Sequence, residues 1–543
     1  MHPPSFSRLR PLCLATVLAA ALSGCGRGDD PASAPAPALL PSIGQVRPAA
    51  AGAVPRYAAA RFADQVSFGA TPALVDAIAA RGFDAWIDAQ FMLPVRPLDP
   101  GAIKFDSDTS VRNGQRLLHE QALAAPDQLR QRVNWALSQF LVVSMKKSNA
   151  YGVVLYNNLL HEHAFGNYGA LIKAISTSPT MGEYLDNIQN RPKSDECRSC
   201  APNENYAREL MQLFTLGLVK LNLDGSVQRG SDLTPLETYQ QKDVQELARA
   251  LTGWNYSVQA YGTDQARYEG KLVPETWAAT HDYGAKMVLG SPIKAGGNPV
   301  QDLDAVVAIL MAHPNMAPFV SLRMIQHLVS SAPSPAYVRR VATVFNNNGQ
   351  GVRGDMKALI KAILLDPEAR RGDRPGEGAD HAGKLREPFH WYTGLLRGLG
   401  CTAALTWQSG EVATPLQNPY NADSVFSFYA PTDRAPGSNL LAPEQRLLNA
   451  SELAGRLSGY NLGSETAAAA AGCDSASFTR ALAASPHQFI DLVSERYFRG
   501  AMPVALRQHL TVLAPVVAPT ATHQQTMRLL LFALASPYYG VIR

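Results

Sequence analysis

Nothing in this chain of 543 residues carries an excess of one charge: Lys and Arg number 49 against 45 Asp and Glu. The formal net charge of +4 falls to about +2 once residues 1–24, which hold Arg8 and Arg10 and no acid, are set aside. That balance excludes the basic footprint nucleic acid demands of a partner. Absent too are a GxSxG elbow, an HExxH pair, a phosphate-binding glycine loop and a dinucleotide fingerprint, which removes several common enzyme classes. Past the first two dozen residues no apolar run is long enough for a membrane-spanning helix. Alternating β-branched runs are scarce, whereas a helical period recurs throughout, so the expected fold is mainly α.

What is present begins at the N-terminus. Arg8 and Arg10 precede the apolar run from Pro11 to Leu22, and Leu22-Ser23-Gly24-Cys25 follows. This resembles a bacterial lipoprotein signal, with charge, a short apolar core and small residues before an acylatable cysteine. The resemblance implies a signal peptide over 1–24, lipidation at Cys25 and attachment to a membrane. Gly26 follows Cys25, and no neighbouring aspartate marks inner-membrane retention, so the outer membrane of the cell envelope is the expected address. Residues 25–55, rich in Ala and Pro, read as a flexible tether. A single large multi-helical domain with long loops is expected over 56–543.

Cysteine is scarce, six in all. Beyond Cys13 and Cys25 the simplest pairing in an oxidising envelope joins Cys197 to Cys200 and Cys401 to Cys473. A zinc site would need further thiol or imidazole ligands, and no second CxxC exists, so no metal is expected. A redox pair would want its first cysteine at a helix start, whereas the next helix begins near Asn203. A local clamp is the favoured reading of Cys197-Arg198-Ser199-Cys200.

The densest run is Pro202-Asn203-Glu204-Asn205-Tyr206-Ala207-Arg208-Glu209-Leu210-Met211-Gln212-Leu213-Phe214-Thr215-Leu216-Gly217. At 100° per residue Tyr206, Ala207, Leu210, Leu213 and Phe214 share one face, with Pro202 and Asn203 as the start and Gly217 as the stop. Glu209 sits on the border of that face, where a carboxylate needs a partner. The run resembles the signature of a large bacterial exported family, domain of unknown function 1800. Family-like stretches recur at Arg61–Gly69, Ser178–Leu185, Asp243–Trp254, His281–Lys286, Lys384–Phe389 and Asn421–Tyr429. The resemblance implies no demonstrated reaction and no cofactor. It implies a possible exported partner, because members are often encoded beside a sulfatase-like family, domain of unknown function 1501.

Several residues stand out as chemistry. Thr234-Pro235-Leu236-Glu237 has the form of a capping box. A helix begun there puts Asp243 in the middle of an apolar face; a helix begun at Gln241 makes it a first-turn acid. Both readings stay open. His281 beside Asp282 and near Lys286 suits acid–base work or the holding of an anion. His161 and His163, two apart, point in different directions on a helix and do not make a metal pair. Arg132 reads as a snorkelling edge residue. The helix after His313-Pro314-Asn315 is apolar all round except for Arg323, Gln326 and His327, a stripe that Glu209 and Asp243 are expected to meet. The candidate site therefore joins Glu209, Asp243 and His281 as catalytic groups with Arg208, Lys286, Arg323 and His327 as substrate-binding groups. On this reading an envelope lipoprotein binds or acts on an envelope or extracellular polymer through a polar site between helices. The alternative is a non-catalytic binding or assembly partner of another exported protein.

Overall fold

Short polar residues followed by proline start many of the helices. Thr71, Ser334, Asp366 and Ser485 each cap a helix whose first residue is proline, because the side-chain oxygen takes an orphan N–H while proline needs none. In the computed structural model, residues 52–103, 109–195, 197–257, 265–275, 280–376, 383–406, 417–458 and 462–542 are described. Among them 22 helices account for a chain that is 54% helical and 6% strand, a mainly α fold. The strands form three two-stranded antiparallel ribbons. The described residues belong to one compact unit, Pro48–Arg543. The signal, the tether up to residue 51 and Cys25 lie outside the described residues.

The first three helices are Arg56–Val66, Pro72–Arg81 and Phe83–Phe91. Phe62 stacks on Phe83 at 4.6 Å and meets Trp86 edge-on at 5.9 Å. These rings belong to a large apolar core that takes in the helices from Arg56 to Leu364. A second core is built by Pro388–Gly398 and the helices after residue 475, with Trp391, Phe478, Ile490 and Leu530 at its centre. Disulfides join Cys197 to Cys200 and Cys401 to Cys473. No single described helix is long and apolar enough to cross a membrane.

The signature run departs from a plain α-helix. Asn205–Glu209 is α-helical, but Leu210–Thr215 opens into a π-helix. Leu216 N–H reaches back to Met211 O at 2.9 Å, and the Thr215 hydroxyl donates to Leu210 O at 2.5 Å. The loosened turn lets Tyr168 donate its hydroxyl to Phe214 O at 2.6 Å. The extra residue per turn also changes which side chains face the core: Met211 and Thr215 are buried, whereas Gln212 and Leu213 are only partly covered. Leu213, placed in the core by α periodicity, is thereby turned toward a cavity. Gly217 ends the run at φ 78°, and a Cβ there would lie 2.9 Å from the Phe319 ring.

Two local expectations are corrected. Residues Thr234–Glu237 do not cap a helix: Val219 pairs with Glu237 and Arg229 with Pro235 in extended backbone, and Thr234 instead closes a turn on Asp232. The helix begins at Gln241 and runs to Ala250. Asp243 is its first-turn acid and accepts the N–H of Gln240 at 2.9 Å. Arg132 does not snorkel. Its helix, Gln128–Ser138, is buried on every side, and its guanidinium lies over Phe68 and donates to His327 O at 3.2 Å.

Replacing Gly217 by Ala should cost about 2 kcal/mol, since an L side chain is strained at positive φ and here also meets Phe319. Urea unfolding of G217A against the parent checks this, and an unchanged midpoint would contradict it.

Candidate functional site

The π-turn, the extended segment after it, the buried helix Met316–Leu328 and the aromatic loop ahead of Pro431 enclose a cavity of about 420 Å³. Gln212, Leu213 and Leu216 form one wall, and Leu218, Val219, Leu221 and Val227 a second. Phe319, Leu322, Arg323 and His327 form a third, and Val425, Phe426, Tyr429 and Pro431 a fourth. Leu218, Val227 and Phe426 are exposed, which gives the cavity an apolar rim. Three of these walls come from runs singled out in the sequence: the signature, the basic stripe and the aromatic loop.

The polar wall is positioned by the helix that carries it. Arg323 and His327 lie one turn apart and face the same way. Asn315 fixes the start of this helix by donating its amide to Leu216 O at 3.1 Å and Val219 O at 2.7 Å, which ties it to the signature run. Arg323 donates to Gln326 Oε1 at 2.8 Å and Pro431 O at 3.5 Å, with its guanidinium 5.1 Å above the Phe319 ring. Burial pulls that guanidinium down to about 10, with no carboxylate among the described residues opposing the shift. The His327 ring stacks between Phe140 at 6.1 Å and Tyr429 at 6.5 Å. Burial, with Lys384, Arg323 and Arg132 nearby, lowers it to about 3, so it is neutral imidazole at physiological pH.

Beneath this wall lies a buried charge node. Glu387 accepts from Lys384 Nζ at 2.7 Å, from Gln417 Nε2 at 2.6 Å and from the Tyr429 hydroxyl. Burial works to raise the Glu387 carboxyl, but the Lys384 ammonium and the hydrogen bonds from Lys384 and Gln417 bring it down to about 2. Lys384 and Arg132 both also donate to the His327 carbonyl. Burial and the Glu387 charge push the Tyr429 phenol far above its usual value.

The seven residues expected to form one site occupy four places. Arg323 and His327 share the cavity. His281 and Lys286 meet elsewhere: Lys286 Nζ donates to Asp302 Oδ2 at 2.7 Å, and His281 Nε2 lies 3.3 Å from the same oxygen. His281 Nδ1 donates to Thr252 O at 2.9 Å. Burial would raise the Asp302 carboxyl, and the neighbouring His281 ring and Lys286 ammonium more than cancel this, holding it below the ordinary range. Asp282 pairs with Arg249 through two contacts of 2.7 and 3.0 Å. Asp243 accepts from the backbone of Gln240 and Leu289, each at 2.9 Å. Arg208 pairs with Glu204 at 2.8 Å. Glu209 is 8% exposed, with Oε2 unpartnered among the described residues, and burial raises its carboxyl. The expected meeting of Glu209 and Asp243 with the Arg323 stripe does not occur; Asp243 is already held by the N–H groups of Gln240 and Leu289.

His161 is on a regular helix, bonded to Asp127 Oδ2 at 2.9 Å. No cluster of His, Cys, Asp or Glu suited to a metal exists among the described residues. A wider basin of about 560 Å³ is lined by Glu183, Asp186, Asn190 and Arg191. Its carboxylates are already engaged, Glu183 by the Tyr256 and Tyr268 hydroxyls and Asp186 by Lys147 and Asn205. Residue-by-residue reading missed Glu387, Gln417, Asp302 and Tyr429 as interacting groups. The Lys384–Phe389 and Asn421–Tyr429 runs were the only signal for two of them, and nothing local in either says that they meet.

Replacing Glu387 by Gln should cost about 3–5 kcal/mol, because Lys384 is then buried without its partner. His119, His327 and His390 are all buried and lowered, the first two to about 4 and about 3. Their folded values lie below the unfolded one, so their contribution is complete above about pH 6.5 and is lost as pH falls toward the folded values. Each adds up to about 1.4 kcal/mol per pH unit to the acid slope. Urea-derived stability against pH should therefore fall before ordinary carboxylates titrate, and H119Q should flatten the slope by one proton.

Comparison with known proteins places this geometry in a family. No curated protein and no solved structure matches the chain. The family described as Protein of unknown function (DUF1800) matches residues 61–541, which takes in every wall of the cavity, the node beneath it and the His281–Asp302 pair. The chain belongs to the DUF1800 family.

Proposed function

We propose that this DUF1800 protein is an exported, lipid-anchored binding protein of the cell envelope whose ligand places an apolar body in the cavity between the signature π-turn and the aromatic loop. The observation that carries the reading is the cavity itself: about 420 Å³, walled mainly by Leu, Val and Phe, with polar groups confined to one side. That size and composition are those of small-molecule sites, where apolar walls supply affinity and a few polar groups fix orientation. The export and anchoring part of the reading rests on Arg8, Arg10 and the Leu22-Ser23-Gly24-Cys25 run.

The same walls favour an amphipathic ligand over a polysaccharide, whose hydroxyls would lie unsatisfied against them. The groups present favour binding over proton transfer. His327 at about 3 and Tyr429 far above its usual range are both mismatched to acid–base work at neutral pH. Glu209, Asp243 and His281 line none of this cavity.

A neutral solvatochromic dye such as Nile red should bind the parent protein at one saturable site. Leu213→Trp, which fills the partly exposed wall position, should abolish that fluorescence gain while shifting stability by no more than about 0.5 kcal/mol. Absence of saturable binding, or equal binding by L213W, would overturn the reading.

A further inference from the structure

Resting on that binding reading, we infer that the ligand is a single-chain amphiphile with an anionic head group, which docks on Arg323. Arg323 lacks a counter-charge among the described residues. Its hydrogen-bond partners are two neutral oxygens, Gln326 Oε1 and Pro431 O. Among the described residues no carboxylate lies within ion-pairing distance of it, whereas Lys384 pairs with Glu387, Lys286 with Asp302, Arg386 with Asp64 and Arg456 with Glu452. Arg132 and Arg397 also bond to carbonyl oxygens without an ion pair, but both are buried in the interior and neither lines this cavity.

A cation withdrawn from water without a counter-charge is costly, and an anion entering the cavity removes that cost. Arg323 is placed to be reached. It lines the cavity and remains partly solvent-accessible, and the Phe319 ring below it and Gln326 beside it hold the guanidinium in place. Its planar fork of donors matches a carboxylate or a phosphate. The remaining walls are apolar, so the portion of the ligand beyond the head group must be apolar as well. About 420 Å³ is toward the small end of ligand sites, which suits one chain rather than two.

The test is displacement of Nile red from the detergent-free, purified full chain by dodecanoate, dodecyl phosphate and dodecanol, each below its micelle concentration. Dodecanoate or dodecyl phosphate should displace the dye at least roughly tenfold more effectively than dodecanol, equivalent to about 1.4 kcal/mol. Whichever anion is preferred identifies the head group as a fatty-acid carboxylate or a lipid-type phosphate. In R323Q the preference should vanish while dodecanol displaces as in the parent, which shows the cavity intact; R323K should retain a preference for the anion. If dodecanol and both anions displace equally in the parent, or if R323Q keeps the preference, the anionic head group is wrong and the cavity reading stands. If the dye binds and no amphiphile displaces it, the amphiphile inference fails as well. If the dye itself finds no saturable site, the cavity reading fails and takes this inference with it.

Discussion

The buried carboxylate of Glu387 is the constraint on which the candidate site depends. A carboxylate removed from water must be given donors, and here Lys384, Gln417 and Tyr429 supply them from three separate stretches of chain. Glu387 also immediately precedes the helix Pro388–Gly398, where the free N–H groups of the first turn favour negative charge. One residue therefore fixes the aromatic loop through Tyr429, the segment around Gln417 and the entry to the second core. Its neighbour Arg386 turns the other way, pairing with Asp64 at 2.9 Å and donating to Tyr539 O at 2.9 Å. Lys384 and Leu385 add a two-residue ribbon with Ile542 and Val541. Four consecutive residues thus tie the first helix, the aromatic loop and the C-terminal end together, and the cavity owes its fourth wall to them.

The first wall has a different origin. A regular α-helix over Asn205–Gly217 would have sent Leu213 into the core and closed that side. The π-turn prevents this by inserting an extra residue into the turn, with Thr215 and Tyr168 taking up the carbonyls it loosens. The cost of a less regular ladder is offset by those two hydroxyl bonds and by the burial of Met211 and Phe214. Gly217 then redirects the chain under Phe319. Cavity and signature share one cause.

Much of the architecture was legible from periodicity and caps. Thr71-Pro72 and Gly82 bracket a helix by cap chemistry alone, and the helix after Asn315 is buried with Arg323 and His327 on one side, as its nearly unbroken apolar surface implied. The π-turn was not legible, because 100° per residue is assumed before any residue is placed. Thr234-Pro235-Leu236-Glu237 misled because a capping box is defined by backbone geometry, and the same letters serve equally in an extended segment closed by Asp232. The charges were the hardest part. That Arg323 and His327 would need a response was readable from their position on an apolar helix. Which groups would answer was not, since Glu387 lies sixty residues from His327 in the chain, and Asp302 is what holds His281 and Lys286.

The polar residues of the family-like runs separate into two kinds by what they face. His281, Lys286, Asp302, Glu387 and Lys384 close on one another inside the protein, and each charge has an answering charge within a few ångströms. Stability alone accounts for such groups, since removing one strands its partner. Gln212, Arg323 and the edge of Tyr429 face open space. Arg323 meets two neutral oxygens at the edge of that space, where an apolar side chain of similar length would satisfy the same helix at lower desolvation cost. Paired charges mark where this fold is held together, and the cation that lines the apolar cavity without a counter-charge among the described residues marks where it is built to meet something else.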